Sequence, residues 1–447
     1  MMEFFLKRAF FAFCVFNISF LFNPEHAHAV KIERVKSSTN IEAWLVRDHT
    51  SPIITVRFEF RGGSALDPKN LGGLASMTAL LLKEGAGNIY SKAFKRALED
   101  LVITLKFNAK RDSFSGRLVT LVENRKTAFK LLKLAITEPR FDHEPIERIR
   151  SQILAGIRQN TQNPRAIASK RLLKILFPNH PYGRPSSGTT TSIKTINQDD
   201  LYNFAKNRFA KNNLIIGVVG DITPENLKET LDKVFGNLPA QATSWKIPEV
   251  NPKLKGQTSV IKKNIPQSSI VFADKGLKRN HPDFYAAYLM NHILGGGGNT
   301  SRLYKTIREE KGLAYSIYSL LHPLEKTGFL FGGVGTINAK VSEMLYLLRN
   351  QWTLMATKGV TEQELNDAKT YLTGSYPLRF QKSGSIAEML VRIQLDNLGI
   401  DYMNRRNSLI EAVSLKSVNR IAKTLLQPKR LNIVVVGEPI GLKSNLK

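Results

Sequence analysis

The chain has 447 residues, a formal net charge of +28 and one cysteine, Cys14. A single cysteine excludes an internal disulfide, and the length favours two or three domains. The charge alone would suit a nucleic-acid partner, but the sequence contains no nucleic-acid-binding motif. We instead expect attraction to acidic peptides, a partner protein or an anionic membrane face, or simply a lysine-rich solvated surface.

The N-terminus has the pattern of a cleaved secretory signal over residues 1–29. Lys7 and Arg8 precede a short apolar run, and Ala27-His28-Ala29 follows as a small-x-small cleavage site. The apolar run is short for a bilayer span, although an N-terminal anchor stays open as an alternative. No later stretch is apolar for long enough to cross a membrane. These features predict export, to a bacterial periplasm, of a mature chain without cysteine.

The first half of the mature chain predicts strands and helices in mixed order. Residues 53–60 alternate between apolar and polar side chains, which indicates a half-buried strand. Further strands are expected at 103–109, 114–121 and 214–221, with helices near 71–83, 91–102, 124–136, 145–161, 165–176 and 198–208.

The second half repeats a similar order. Strands are expected near 258–263, 269–274, 314–321, 328–335 and 431–438, with helices near 282–294, 300–310, 340–357, 361–376, 384–398 and 415–426. The closing strands of the two halves end at Gly220 and Gly437, 217 positions apart. A repeat of that length indicates two related domains. We therefore predict an α+β protein with domains at 30–243 and 258–447, joined by a linker at 244–257.

Several stretches resemble one peptidase family. His180-Pro181-Tyr182-Gly183-Arg184-Pro185, Gly295–Gly298 and Arg308-Glu309-Glu310-Lys311-Gly312-Leu313-Ala314-Tyr315 are similar to segments of the M16 (pitrilysin/insulinase-like) zinc peptidases. The resemblance covers residues 30–447. It implies two homologous domains, each a mostly antiparallel sheet with helices packed on it, which together form half of a clam-like chamber.

The zinc motif of that family, H-x-x-E-H, is missing. The matching positions hold Ser76, Ala79 and Leu80, none of which replaces a histidine ligand or the catalytic glutamate. The family's third ligand, a glutamate, matches the region 155–157, and no Asp or Glu lies between Arg148 and Gln198. We therefore expect no metal and no catalytic residue on this chain.

Other positions keep the family's pattern. The resemblance implies that Arg308 and Tyr315 hold a peptide substrate and its charged transition state, since a guanidinium and a phenol both donate hydrogen bonds. Gly312 should end the helix that carries Arg308, and Tyr315 should begin the next strand. The alternative is an exposed arginine and a tyrosine packed on the sheet. Gly295, Gly296, Gly297 and Gly298 would form a loop near the peptide or a flexible connector, and His180 would be structural.

These observations lead to one functional expectation and two alternatives. The chain is expected to be a non-catalytic subunit that binds peptide and complements a separate H-x-x-E-H subunit, which carries the zinc, in the periplasm. A stand-alone peptide-binding or scaffold protein is the first alternative. A genuine zinc peptidase is the second, and the missing ligands argue against it.

Overall fold

The computed structural model describes residues 31–445, so the predicted signal lies outside the described residues. The strands are β1 Glu33–Lys36, β2 Glu42–Arg47, β3 Ile53–Arg61, β4 Gly85–Ala86, β5 Ile89–Tyr90, β6 Thr104–Ala109, β7 Ser113–Leu121, β8 Leu214–Gly220, β9 Thr258–Lys262, β10 Gln267–Lys275, β11 Ile317–Leu324, β12 Thr327–Ile337 and β13 Asn432–Gly437.

The α-helices lie between these strands along the chain. They are α1 Leu74–Leu81, α2 Ser91–Asp100, α3 Arg125–Thr137, α4 His143–Gln162, α5 Pro164–Leu176, α6 Thr190–Thr195, α7 Gln198–Arg208, α8 Pro224–Phe235, α9 Phe284–Asn291, α10 Val341–Lys358, α11 Glu362–Gly374, α12 Ser383–Leu395, α13 Tyr402–Glu411 and α14 Leu415–Leu425. Two π-helical turns, His292–Gly296 and Tyr304–Glu310, lie between α9 and β11. No helix of residues 31–445 has both the length and the apolarity that a membrane span needs.

Each half of the chain builds one sheet. The first is six-stranded in the order β1-β2-β8-β3-β7-β6, and the second is five-stranded in the order β11-β12-β10-β13-β9. All pairs are antiparallel except β2 with β8 and β13 with β9. The closing strands β8 and β13 thus occupy related places, each between one parallel and one antiparallel neighbour. The predicted α+β class is confirmed.

The two halves exchange helices. Helix α5, from the first half, packs on β10 and β13 of the second sheet, while α12, from the second half, packs on β3 and β8 of the first. A separate apolar cluster forms where α5 meets the second sheet; it includes Leu172, Leu176, Val271, Phe329 and Val434. The exchange makes residues 32–445 part of one compact unit, with the segment 242–257 running between the sheets without regular structure.

The structure differs from the predicted elements at several points, and β1, β2, β4, β5, α6 and α13 were not predicted. The helix near 300–310 is a π-helical turn that begins at Tyr304. Helix α13 was missed, because its sequence, YMNRRNSLIE, carries few apolar residues to mark a face. Strand β11 begins at Ile317, so the prediction that Tyr315 begins it is wrong.

Candidate functional site

Helix α1 occupies the place of the family's zinc helix. Its first turn is capped by Asp67, whose carboxylate accepts hydrogen bonds from the backbone N–H groups of Gly73 at 2.8 Å and Ala75 at 3.1 Å. Burial raises the pKa of Asp67 to about 7, although these two bonds and the nearby charge of Arg184 oppose the shift. The cap fixes the start of α1 against the sheet.

The three positions matched to the zinc motif serve packing. Ser76 Oγ donates a hydrogen bond of 2.8 Å to the carbonyl of Ser186. Ala79 is 4% exposed within the first core, and Leu80 packs against the same core from its edge. Ala79 and Leu80 have no side-chain atom that could ligate an ion, and the hydroxyl of Ser76 is engaged by Ser186.

The segment matched to the third ligand lies in α4, which packs against α1. The fold therefore brings the two zinc segments together, as the resemblance implies. The side chains of α4 there are apolar: Ile153, Leu154 and Ile157 pack partly buried against the first core. Across residues 31–445 no group of three His, Cys, Asp or Glu side chains is placed to hold a metal. These residues do not fit a zinc ion.

Arg308 and Tyr315 do come together. The guanidinium carbon of Arg308 lies 5.0 Å from the ring centre of Tyr315 and 4.7 Å from that of Tyr304. Gly312, in the left-handed conformation with φ +59°, ends the turn and donates its N–H to the Arg308 carbonyl at 3.0 Å. Tyr315 is 84% exposed, so it does not pack on the sheet. The pair forms a cation–π unit whose phenol faces solvent.

The glycine run is tightly packed over three of its four positions. A side chain at Gly295 would collide with Ser319, one at Gly296 with Asn291, and one at Gly297 with His292. Asn291 and Ser319 are themselves joined by two hydrogen bonds. Only Gly298, at φ +60°, has open space around it. Close approach to β11 thus explains Gly295, and packing against the preceding helical residues explains Gly296 and Gly297. A role in peptide binding stays a prediction.

The turn at His180 joins the halves. The tautomer that fits both contacts donates from Nε2 to the carbonyl of Pro248 at 3.0 Å and accepts at Nδ1 from the N–H of Tyr182 at 3.2 Å. The Tyr182 hydroxyl donates to Asp112 at 2.6 Å and accepts from the N–H of Lys326 at 3.2 Å. Burial lowers the pKa of His180, which keeps the ring neutral. Asp112 gave no signal in the sequence, because nothing local distinguishes it from other turn aspartates.

The edge of the first sheet is a feature that sequence reasoning missed. Strand β6 pairs only with β7 among the described strands, and α1 packs beside it. Lys106, Arg117 and Arg57 stand side by side across β6, β7 and β3. The Nε atoms of Arg57 and Arg117 are buried without a hydrogen-bond partner. The three side chains are neighbours because of the register between the strands, and a single sequence does not reveal that register.

Together, the fold, the altered zinc helix and the arginine–tyrosine pair define an M16-type protein that lacks the metal site. Models of that family match most of the chain: "Insulinase (Peptidase family M16)" over residues 43–190 and "Peptidase M16 inactive domain" over residues 195–372. The chain belongs to the M16 family, and it is a non-catalytic protein of the M16 inactive type.

Individual relatives agree with this membership. The chain is 29% identical to "Non-peptidase homolog YmxG" of Helicobacter pylori over 394 residues, which are 87% of this chain and 90% of the relative. It is 25% identical to "Uncharacterized zinc protease YmxG" of Bacillus subtilis over 68% of this chain and 74% of the relative. The crystal structure of a peptidase M16 inactive domain from Pseudomonas fluorescens superposes with a TM-score of 0.86 at 28% identity, covering 92% of this chain and all of that one.

Proposed function

We propose that this chain is the substrate-holding subunit of a heteromeric peptidase in the periplasm. A separate M16 chain with an intact H-x-x-E-H motif supplies the zinc, and this chain supplies Arg308 and Tyr315 to the bound peptide. The predicted signal over residues 1–29 supports the location. The proposal therefore divides one active site between two chains.

The observation that carries the proposal is that the arginine–tyrosine pair is held together but is not engaged by a carboxylate of the described residues. Among residues 31–445 the Arg308 guanidinium lies over the rings of Tyr304 and Tyr315 with no carboxylate paired to it, and Tyr315 is 84% exposed. A guanidinium and a phenol held 5.0 Å apart, with neither engaged by a carboxylate, are available to a group from outside the chain. A peptide carbonyl or an oxyanion accepts hydrogen bonds from both.

The edge of the first sheet supports peptide binding as well. The outer side of β6 presents backbone N–H and C=O groups that can pair with an extended peptide. The basic row of Lys106, Arg117 and Arg57 crosses the sheet from that edge, and Glu388 is the one carboxylate of the described residues in an ion pair with it. Arg57 and Arg117 lie partly beneath α12, so the exposed Lys106 on β6 is the member of the row that would attract an acidic group of a peptide or partner.

The test uses the mature chain, residues 30–447, and the H-x-x-E-H chain encoded in the same genome. Bound zinc and cleavage of a quenched fluorescent peptide library are measured for each chain alone and for the mixture. We expect activity in the mixture only, with zinc on the partner. Stoichiometric zinc and cleavage by this chain alone would refute the proposal, and failure of the two chains to associate would favour a scaffold role instead.

Variants then test the pair itself. Arg308→Ala and Tyr315→Phe should each lower kcat of the mixture by about tenfold or more, since each removes a donor to developing charge. Tyr346→Phe and Arg96→Ala are matched controls, because Tyr346 is 70% exposed on α10 and the Arg96 side chain is 81% exposed on α2. If the controls and the test variants behave alike, Arg308 and Tyr315 have no role in turnover.

A further inference from the structure

A cavity of about 280 Å³ opens in the second half of the chain, among α9, α12, α13 and β11. Arginine and aromatic side chains form most of its wall. It contains neither the Arg308–Tyr315 pair nor any position matched to the zinc motif. Its chemistry is therefore not explained by the proposed function.

The cavity has a surplus of positive charge. Arg279, Arg379, Arg392 and Arg406 line it, against a single carboxylate, Asp396. Asp396 already has two cations nearby, with Arg392 Nε at 3.3 Å and Arg279 Nε at 3.9 Å from its Oδ2. The wall thus carries three more cations than anions, and a ligand with a negative charge would reduce that imbalance.

Arg406 is the most deeply buried of these cations. It is 6% exposed and forms no ion pair with residues of 31–445. Its Nη1 donates to two neutral oxygens, the Leu372 carbonyl and Asn407 Oδ1, each at 3.0 Å. Its guanidinium carbon lies 4.1 Å from the ring centre of Tyr376. Neutral partners and one ring stabilise a buried cation less than a carboxylate does. An anion that binds in the cavity would therefore stabilise the charge of Arg406.

A pair of tyrosines adds an unused donor. Arg279 Nη2 donates to the hydroxyl oxygens of Tyr285 at 3.0 Å and Tyr402 at 2.9 Å, and the two oxygens are 2.9 Å apart. One phenolic hydrogen joins the two tyrosines. The other has no acceptor among the described residues, and both rings face the cavity. Burial raises the pKa of Tyr402, so its phenol stays protonated and able to donate.

The rest of the wall is apolar. The rings of Phe284 and Tyr288 are nearly parallel, at 9° and 6.3 Å between centres, and Leu321, Met389 and Ile393 complete this side. An anion that enters with an apolar group attached would bury that group here. At about 280 Å³ the cavity has room for a group of about the size of one amino-acid residue.

We propose that this cavity is a binding site for a small carboxylate that carries an apolar side group. The arginines match a carboxylate with paired N–H donors, the free phenolic hydrogen adds a third kind of donor, and the apolar wall receives the side group. A carboxylate with an apolar group suits the site better than inorganic phosphate, because phosphate has no group to bury against Leu321, Met389 and Ile393. This inference does not depend on the proposed partnership.

Isothermal titration calorimetry on the mature chain tests the site with N-acetyl-L-phenylalanine. Its primary amide has the same ring and lacks the charge, so we expect the acid to bind at least tenfold more tightly than the amide. Equal binding of acid and amide, or no binding of the acid at millimolar concentration, would overturn the proposal. Tighter binding of inorganic phosphate than of the acid would overturn the assignment to a carboxylate.

Two substitutions locate the binding within this cavity. Tyr402→Phe removes the phenol without changing the ring, and should weaken the acid about tenfold. Arg392→Gln alters a side chain that is 59% exposed, and should weaken the acid about threefold. Arg405→Gln removes the same charge from a neighbouring arginine that pairs with Asp401 outside the cavity. The proposal fails if Arg405→Gln weakens binding as much as Arg392→Gln, or if Tyr402→Phe leaves the affinity for the acid unchanged.

Discussion

The hydroxyl of Tyr182 donates a 2.6 Å hydrogen bond to Asp112 Oδ1, and this pair holds a turn from the other half of the chain. Asp112 Oδ2 accepts from the N–H of Glu325 at 3.0 Å, and the Tyr182 oxygen accepts from the N–H of Lys326 at 3.2 Å. The β11–β12 turn is thus fixed to the first half through its backbone. Together with the exchanged helices α5 and α12, this contact holds the two sheets in one arrangement.

Tyr182→Phe should lower the free energy of unfolding by about 1–3 kcal/mol, because it leaves the buried Asp112 carboxylate and the Lys326 N–H short of a partner. Urea denaturation followed by circular dichroism measures the change. Tyr346→Phe, at a residue that is 70% exposed, is the control and should change stability by less than about 0.5 kcal/mol. Equal effects of the two substitutions would mean that the Tyr182 contact does not stabilise the fold.

Gly217→Val should separate α12 from the first sheet. A Cβ atom at Gly217 would lie 2.9 Å from both the Ala387 carbonyl oxygen and Leu390 Cβ. The helix must shift, at a cost of about 1–3 kcal/mol, and the thermal midpoint should fall. Gly156→Ala in α4 is the matched control: its new Cβ meets nothing within 4 Å, and alanine should raise stability by about 0.5–1 kcal/mol. An unchanged midpoint for Gly217→Val would show that α12 does not need this close approach.

The sequence was sufficient for features that depend on local pattern. Alternation over residues 53–60 marked β3, and the apolar runs ending at Gly220 and Gly437 marked the closing strands β8 and β13. The Thr-x-x-Glu pattern of residues 361–364 likewise indicates the capping box at the start of α11. In each case the signal lies within a few neighbouring residues.

Features that depend on which elements contact each other could not be predicted from the sequence. An amphipathic pattern shows that α5 and α12 bury one face, but not that each buries it on the other half's sheet. The glycine run was read as a loop near substrate or a flexible connector, whereas Gly295 admits the close approach of β11 and Gly296 and Gly297 pack against Asn291 and His292. The arginines of the cavity are spread over residues 279–406, so no motif could unite them.

Asp67 makes stability depend on pH in a defined direction. Burial raises its pKa from an ordinary value of 3.8 to about 7 in the folded chain, so between these values the folded state binds more protons than the unfolded state. Its contribution to stability is therefore fully present below about pH 4 and is lost as the pH rises through 7.

Asp67→Asn removes this titration and keeps the shape of the side chain. The free energy of unfolding, measured by urea denaturation at several pH values, should decline less between pH 4 and 7 in the variant than in the unmodified chain. Asp199→Asn, at an exposed carboxylate on α7, is the control and should leave the decline unchanged. Parallel curves for Asp67→Asn and the unmodified chain would show that the folded carboxyl titrates near its ordinary value.

Restoring the zinc motif by Ser76→His, Ala79→Glu and Leu80→His should not restore a zinc site. The matched third position lies among apolar residues of α4, so the ion would gain at most two histidine ligands from the chain. Ala79 is 4% exposed, and a glutamate there would bury an unpaired charge, lowering the free energy of unfolding by about 3–5 kcal/mol. Zinc content after dialysis and the thermal midpoint measure the two effects. Ser76→Ala, which removes only the bond to Ser186, is the control for stability. One tightly bound zinc ion per chain in the triple variant would show that loss of the motif, rather than repacking of α1 and α4, is what separates this chain from an active metallopeptidase.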